Sequence, residues 1–276
     1  MLSALQDAAA YFQSKPTGYF SPSDGYIAAE LDSILGGTAN TDFVKANFYD
    51  QLAAGTYNRK GLGTLYDTAG YINLIRTSRE SQGIANLAAW DIGIGIVGAA
   101  AVGADTTEWI NGTKAEIDEL DGSAYYDVVG LAGAIFGLAT VGEDYDPIAG
   151  EHAAASNIND LADILASYQI GLSGGFTWNS NYLNPNEGNE TVQETAYAIL
   201  ALKEVGGYGN VIDRASQYLQ SVQLSTGGWE NYAGDGENNE VTGEALWAIS
   251  ANPVPEPSTL LLLGAGLAGL YFFRRK

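Results

Sequence analysis

Two segments of this chain repeat one another, and that repeat constrains the fold more tightly than any other feature. In the first copy Ile164-Leu165 leads to Gln169, then Gly174-Gly175-Phe176, a polar loop, Asn189-Glu190 and Glu194-Thr195-Ala196-Tyr197-Ala198-Ile199. In the second, Arg214-Ala215-Ser216-Gln217-Tyr218-Leu219 leads to Gln223, then Gly227-Gly228-Trp229, a polar loop, Asn239-Glu240 and Glu244-Ala245-Leu246-Trp247-Ala248-Ile249. Each unit reads as helix, Gly-Gly-aromatic turn, loop and helix, with a period of roughly 50 residues. Helical hairpins at that period stack into superhelices or close into a ring.

The rest of the chain carries the same kind of pattern. Apolar periodicity predicts helices at about Leu2–Gln13, Tyr26–Leu35, Thr41–Ala54, Leu65–Arg79, Ile84–Ala101, Thr107–Leu120, Tyr125–Val141, Ala153–Ile170, Val192–Val205, Val211–Gln223 and Val241–Ser250. No run of alternating, β-branched residues reads as a convincing strand, so the class is all-α. Two segments, Trp90 to Val102 and Val128 to Val141, are apolar nearly all round and studded with glycine. Such helices are buried on every side or lie in lipid. Gly133 and Gly137 have the spacing that lets helices approach closely in either setting. Both segments are short for a bilayer and start with an acid, Asp91 or Asp127, which favours burial in a soluble protein.

The second copy resembles the QW motif of the squalene-cyclase and protein-prenyltransferase superfamily. Arg214, Ala215, Tyr218, Leu219, Gln223, Gly227 and Trp229 fill its basic, small, aromatic, aliphatic, Gln and Gly-x-Trp positions, while the first copy has Phe176 where the Trp belongs. The resemblance runs from about residue 160 to 250 and implies an α/α toroid, whose inner helices surround a central cavity. In that superfamily the motif is structural: its Gln satisfies open groups at a helix end and its Trp packs over it. The same role is expected of Gln223, Gly227 and Trp229.

The chemistries familiar from that superfamily are missing. Its terpene cyclases use an Asp-x-Asp-Asp segment or acidic metal-binding motifs, and Asp118-Glu119-Leu120-Asp121 is a poor substitute at a polar helix end. Prenyltransferases bind zinc through Asp, Cys and His, and related thioester proteins need Cys; this chain has no Cys and one His. That residue, His152, sits in a polar stretch and is expected at an exposed loop or helix start.

Two readings of the body remain. In one it is a non-catalytic envelope protein that binds polysaccharide, with Trp178, Tyr182 and Tyr232 of the turn loops stacking on sugars beside Asn, Asp and Glu. Asp235, Glu237 and Glu240 could also collect calcium, although their spacing is not that of an EF-hand. In the alternative it is a polysaccharide hydrolase or lyase on an α/α barrel, since paired carboxylates suffice for glycoside hydrolysis. Asp91, Asp127, Glu194 and Glu244 recur near the starts of the inner helices and could converge at one cavity rim. Helix capping is the competing role for each, and Thr191-Val192-Gln193-Glu194 reads as a capping box.

The C-terminus carries a separate signal. Val254-Pro255-Glu256-Pro257-Ser258-Thr259 is a proline-punctuated spacer, followed by an apolar run to Phe273 and the terminal cations Arg274, Arg275 and Lys276. An apolar helix of about 15 residues spans roughly 22 Å, short of a bilayer core, and the cations can snorkel to cover part of the deficit. These parts, in this order, resemble the PEP-CTERM sorting signal. The resemblance implies a Gram-negative-type bacterium, often one making exopolysaccharide, and processing by an exosortase-type membrane protease. The protein would be anchored first in the inner membrane by its tail, then moved to the outer surface or released. Residues 1–251 would form the helical repeat body, 252–258 the spacer and 259–276 a short transmembrane helix. Met1 to Asp7 has neither a basic start nor an apolar stretch, so an export signal is expected upstream. With three cations and Glu256 in the tail, the remaining residues hold 9 cations against 32 acids, a net −23. That surface repels nucleic acid, which is excluded as a partner.

Overall fold

The computed structural model describes residues 2–15, 19–122, 125–182 and 188–251. The spacer, the sorting motif Val254 to Thr259, the C-terminal apolar helix and Arg274 and Arg275 lie outside the described residues.

The described chain is mostly helical. Its helices are α1 (Leu2–Gln13), α2 (Asp24–Leu35), α3 (Ala39–Val44), α4 (Asp50–Ala53), α5 (Thr68–Ser81), α6 (Leu87–Ala101), α7 (Thr107–Glu119), α8 (Asp127–Thr140), α9 (Ile158–Ser167), α10 (Val192–Val205), α11 (Gly209–Ser221) and α12 (Asn239–Ala251). A π-helical turn, Lys45–Tyr49, joins α3 to α4, so the helix expected at Thr41–Ala54 forms as one continuous stretch. Two expected boundaries move. Leu65 was expected in a helix; instead Leu65–Tyr66 (β2) pairs antiparallel with Tyr57–Asn58 (β1), Tyr57 facing Tyr66. The helix waits for Asp67, whose side chain accepts from the Gly70 N–H at 2.7 Å and caps α5. Likewise α9 starts at Ile158 rather than Ala153, because Asn157 caps the amides of Asn159 and Asp160 at 2.9 and 3.0 Å.

The helices alternate in character along the chain. Five of them, α2, α6, α8, α10 and α12, pack in that order, each against the next. Tyr26 of α2 also stacks on Trp247 of α12, with ring centroids 3.9 Å apart. Between them in sequence, α7, α9 and α11 each pack against the two flanking members of that series, and α5 packs on α6 and α7. The apolar-all-round helices of the sequence are α6 and α8, and both are buried on every side, Ile92 to Ala99 and Asp127 to Leu138. They meet through glycine. A β-carbon on Gly93 would collide with the Gly133 carbonyl, and one on Gly137 would collide with the Gly93 carbonyl. On its other flank α6 meets α2 where Gly98 lies against Gly25. Among the described residues no helix is long and apolar enough to cross a membrane.

The repeat seen in the sequence is also a repeat of hydrogen bonds. Gln169 donates its side-chain amide to the Gly174 carbonyl, and Gln223 donates to that of Gly227, both at 2.8 Å. Gly174 and Gly227 sit at φ of +84° and +94°, a conformation open to glycine and strained for other residues. Phe176 and Trp229 are both fully buried, and each donates its backbone N–H to a threonine hydroxyl of the following helix, Thr195 or Thr242, at 2.9 Å. Trp229 adds a bond from its indole N–H to the Leu219 carbonyl at 2.8 Å. Arg214 ties one copy to the other by donating to the Gly171 carbonyl at 2.5 Å.

His152 corrects an expectation: it is 3% exposed. The turn that carries it is tucked against Leu120 by the Glu151 N–H, which donates to the Leu120 carbonyl. Burial pushes the imidazole below its ordinary value, so it is a neutral interior group.

Candidate functional site

The starts of the five serially packed helices surround a cavity of about 640 Å³. Its apolar wall is aromatic. Trp90 of α6 stacks on Tyr197 of α10, with ring centroids 3.6 Å apart, and the Tyr26–Trp247 stack stands on the wall formed by α2 and α12. Its polar lining is acidic: Asp91, Glu194, Glu240 and Glu244, with Arg79 as the one lining cation among the described residues. Arg79 is already committed, since its Nε donates to the Asp91 carboxylate at 2.6 Å.

Glu194 and Glu244 differ from ordinary surface acids. Glu194 is 4% exposed, and one of its oxygens, Oε2, has no hydrogen-bond partner among the described residues. Burial raises its carboxyl above the usual range, against hydrogen bonds from Thr191, its own amide and Asn231. Glu244 takes the Tyr197 hydroxyl on Oε1 at 2.5 Å, while its buried Oε2 is likewise unpartnered. Burial pushes Glu244 up to about 7, opposed by the Tyr197 and Gln193 side chains and aided by Glu240 and Glu194. Asp91 is raised by burial too, with Arg79 pulling the other way. A buried carboxyl oxygen without a partner carries a desolvation cost, which favours the protonated form of both acids.

The capping role expected for Glu194 goes to another residue. Thr191 precedes α10, yet its hydroxyl makes no cap to the helix. Asn231, from the loop after α11, accepts the Val192 N–H on its backbone carbonyl and the Gln193 N–H on its side chain, at 2.9 and 3.0 Å. A capping box serves a helix whose end faces water; here a neighbouring loop covers the end, and the Glu194 carboxyl is held at the helix start by Thr191, its own amide and Asn231.

Of the four candidate carboxylates, three line the same cavity: Asp91, Glu194 and Glu244. Asp127 does not line this cavity. It accepts from the backbone N–H and hydroxyl of Ser180, at 2.9 and 2.5 Å, and pins the 176–182 loop to the start of α8.

The loop aromatics are not brought together there either. Trp178 is partly buried and meets Tyr126 edge-on at 6.1 Å. Tyr232 is 49% exposed and bonds Asp235. Tyr182 ends a short 3-10 turn, Ser180–Tyr182, and its side chain lies outside the described residues. Among the described residues no three carboxylate or imidazole groups form a metal site, Asp235, Glu237 and Glu240 included.

The cavity rings escaped the sequence reading, although the repeat held a clue to two of them. Tyr197 and Trp247 each stand three residues after a repeat glutamate, Glu194 or Glu244, which places ring and acid on one helix face. Trp90 and Tyr26 carry no comparable mark.

Comparison with known proteins bears on the tail alone. No curated protein and no solved structure matches the chain. Residues 253–276 match the PEP-CTERM protein-sorting motif, which marks the chain as an exported, envelope-associated protein whose processing partner is an exosortase-type membrane protease.

Proposed function

We propose that residues 1–251 form an α/α toroid that an exported envelope protein uses to bind a glycan in its central cavity. The serial packing of α2, α6, α8, α10 and α12, with Tyr26 against Trp247, supports the ring. The observation that carries the ligand assignment is the lining itself, the Glu194 and Glu244 carboxyls beside the stacked rings of Trp90 and Tyr197 in one cavity. Sugars offer what that lining lacks: hydroxyls to satisfy carboxyl groups, and C–H faces to lie on aromatic rings. This moves the polysaccharide site from the Gly-Gly-aromatic loops to the cavity. The 259–276 segment serves as the first anchor in the inner membrane, and processing near the Pro-Glu-Pro leads to the outer surface or the medium.

A second reading, glycoside hydrolysis, is favoured by the Glu244 carboxyl. A group held at about 7 can donate a proton near neutrality, and a second carboxylate beside it could act as base or nucleophile. A lyase is disfavoured, because eliminating a uronate calls for a cation to neutralise the sugar's carboxylate, and Arg79 is spent on Asp91.

The test uses the full chain in a detergent without sugar headgroups, incubated with soluble polysaccharides while retention and reducing ends are followed. Retention without new reducing ends supports binding. Release of reducing ends, abolished in Glu244→Gln, establishes hydrolysis. Failure of every glycan to be retained or cleaved removes both readings.

A further inference from the structure

The charge of the cavity narrows the ligand further than its shape does. Glu194, Glu240 and Glu244 have no cation in the lining to oppose them, because Arg79 is held by Asp91. The body around them carries a net −23. A uronate, sulfate or phosphate on a sugar would meet like charge at the mouth and again inside. A neutral sugar could hydrogen-bond the carboxyls of the lining but would leave uncompensated the charge they carry when ionised. A bare metal ion fits poorly: several acids line the cavity, but among the described residues no three stand close enough together to hold one. An ammonium group meets each requirement: it donates hydrogen bonds, it carries the compensating charge, and it is attracted to aromatic faces such as those of Trp90 and Trp247.

We infer that the cavity takes a glycan bearing a free amine, a deacetylated amino sugar, whose ammonium pairs with the Glu194 and Glu244 carboxylates of the lining while its ring lies against the aromatic wall. This rests on the glycan-binding reading above and specifies its ligand class. The aromatic wall selects a flat pyranose over a flexible polyamine, which would supply the charge without the ring.

Four probes separate the possibilities by calorimetric titration of the full chain: a glucosamine tetramer, its fully N-acetylated counterpart, spermidine, and an oligomer of uronic acids. The glucosamine tetramer should bind at least tenfold more tightly than the acetylated one. Spermidine should bind more weakly than the glucosamine tetramer, and the uronate oligomer should give no heat. In Glu194→Gln/Glu244→Gln the preference for the amine over the acetylated tetramer should vanish. The selectivity of the unmodified chain is decisive by itself, should the double variant fail to fold. Equal or tighter binding of the acetylated tetramer overturns the amine while leaving the glycan site in place. Spermidine matching the glucosamine tetramer overturns the sugar in favour of any organic cation. Silence from all four probes overturns this inference and the glycan reading together.

Discussion

The Tyr197 hydroxyl donates to Glu244 Oε1 at 2.5 Å, joining α10 to α12 across the cavity wall. The same tyrosine ring stacks on Trp90 of α6. One side chain therefore orients a carboxyl and supports an aromatic platform. Burial and Glu244 both raise the Tyr197 hydroxyl far above its ordinary range, so it stays a donor at any physiological pH. Replacing it with Phe keeps the ring and removes the bond, leaving Glu244 with one fewer donor beside Gln193. Tyr197→Phe should destabilise the fold by roughly 1–3 kcal/mol, as expected for a buried acceptor stripped of its donor. Denaturant unfolding measures this, and a change within a few tenths of a kcal/mol would contradict the assignment of that bond.

Tyr26 of α2 stacks on Trp247 of α12, the contact on which the proposed ring closure rests. If their stack joins α2 to α12, the two substitutions to Ala should not be additive. A double-mutant cycle on unfolding free energy should give a coupling of roughly 0.5–1.5 kcal/mol. Additivity would mean that the rings do not hold the two helices together.

Glycines provide a paired test of the packing. Gly93→Ala drives a methyl into the Gly133 carbonyl at the α6–α8 crossing and should cost roughly 1–3 kcal/mol or more. Gly243→Ala, within α12 and with nothing near its added carbon, should instead stabilise by roughly 0.5–1 kcal/mol. Melting temperatures moving in the same direction would overturn the close crossing.

These glycines mark the limit of what was legible in the sequence. Gly133 and Gly137 announced a close helix approach by their spacing, and the apolar girth of α6 and α8 announced burial. Their partner, Gly93, could not be read, because periodicity describes one helix at a time. The repeat made Gln223, Gly227 and Trp229 visible for the same local reason. Thr195 and Thr242, which take the N–H of Phe176 and Trp229, look like ordinary helix residues in sequence. Asn231 capping α10 from a later loop, and Ser180 engaging Asp127, are long-range pairings with no sequence periodicity to reveal them. Three cavity acids were anticipated, but the rings between them were not.

Acidity should stabilise the fold between pH 8 and about 5. Glu244 and Glu116 are each pushed up to about 7, chiefly by burial, from an ordinary value of 4.5. A carboxyl with the higher value in the folded state binds more protons when folded, so stability falls as pH rises from about 4.5 through about 7. The melting temperature should therefore drop between pH 5.5 and 8. Glu244→Gln, which keeps a neutral acceptor for Tyr197, should remove part of that drop and be the more stable form at pH 8, by on the order of 1–3 kcal/mol. A wild-type melting temperature that rises over this interval would contradict the burial of these acids.

The central claim is that ligand enters the cavity lined by α2, α6, α8, α10 and α12 and does not sit on the turn loops. The most direct measurement is the glycan dissociation constant of the full chain beside two single variants, Trp90→Ala in the cavity wall and Tyr232→Ala in the exposed loop, each checked for a cooperative melt. The account predicts that Trp90→Ala weakens binding by roughly tenfold or more, while Tyr232→Ala stays within about twofold of wild type. The reverse pattern, with Tyr232 essential and Trp90 dispensable, would contradict it.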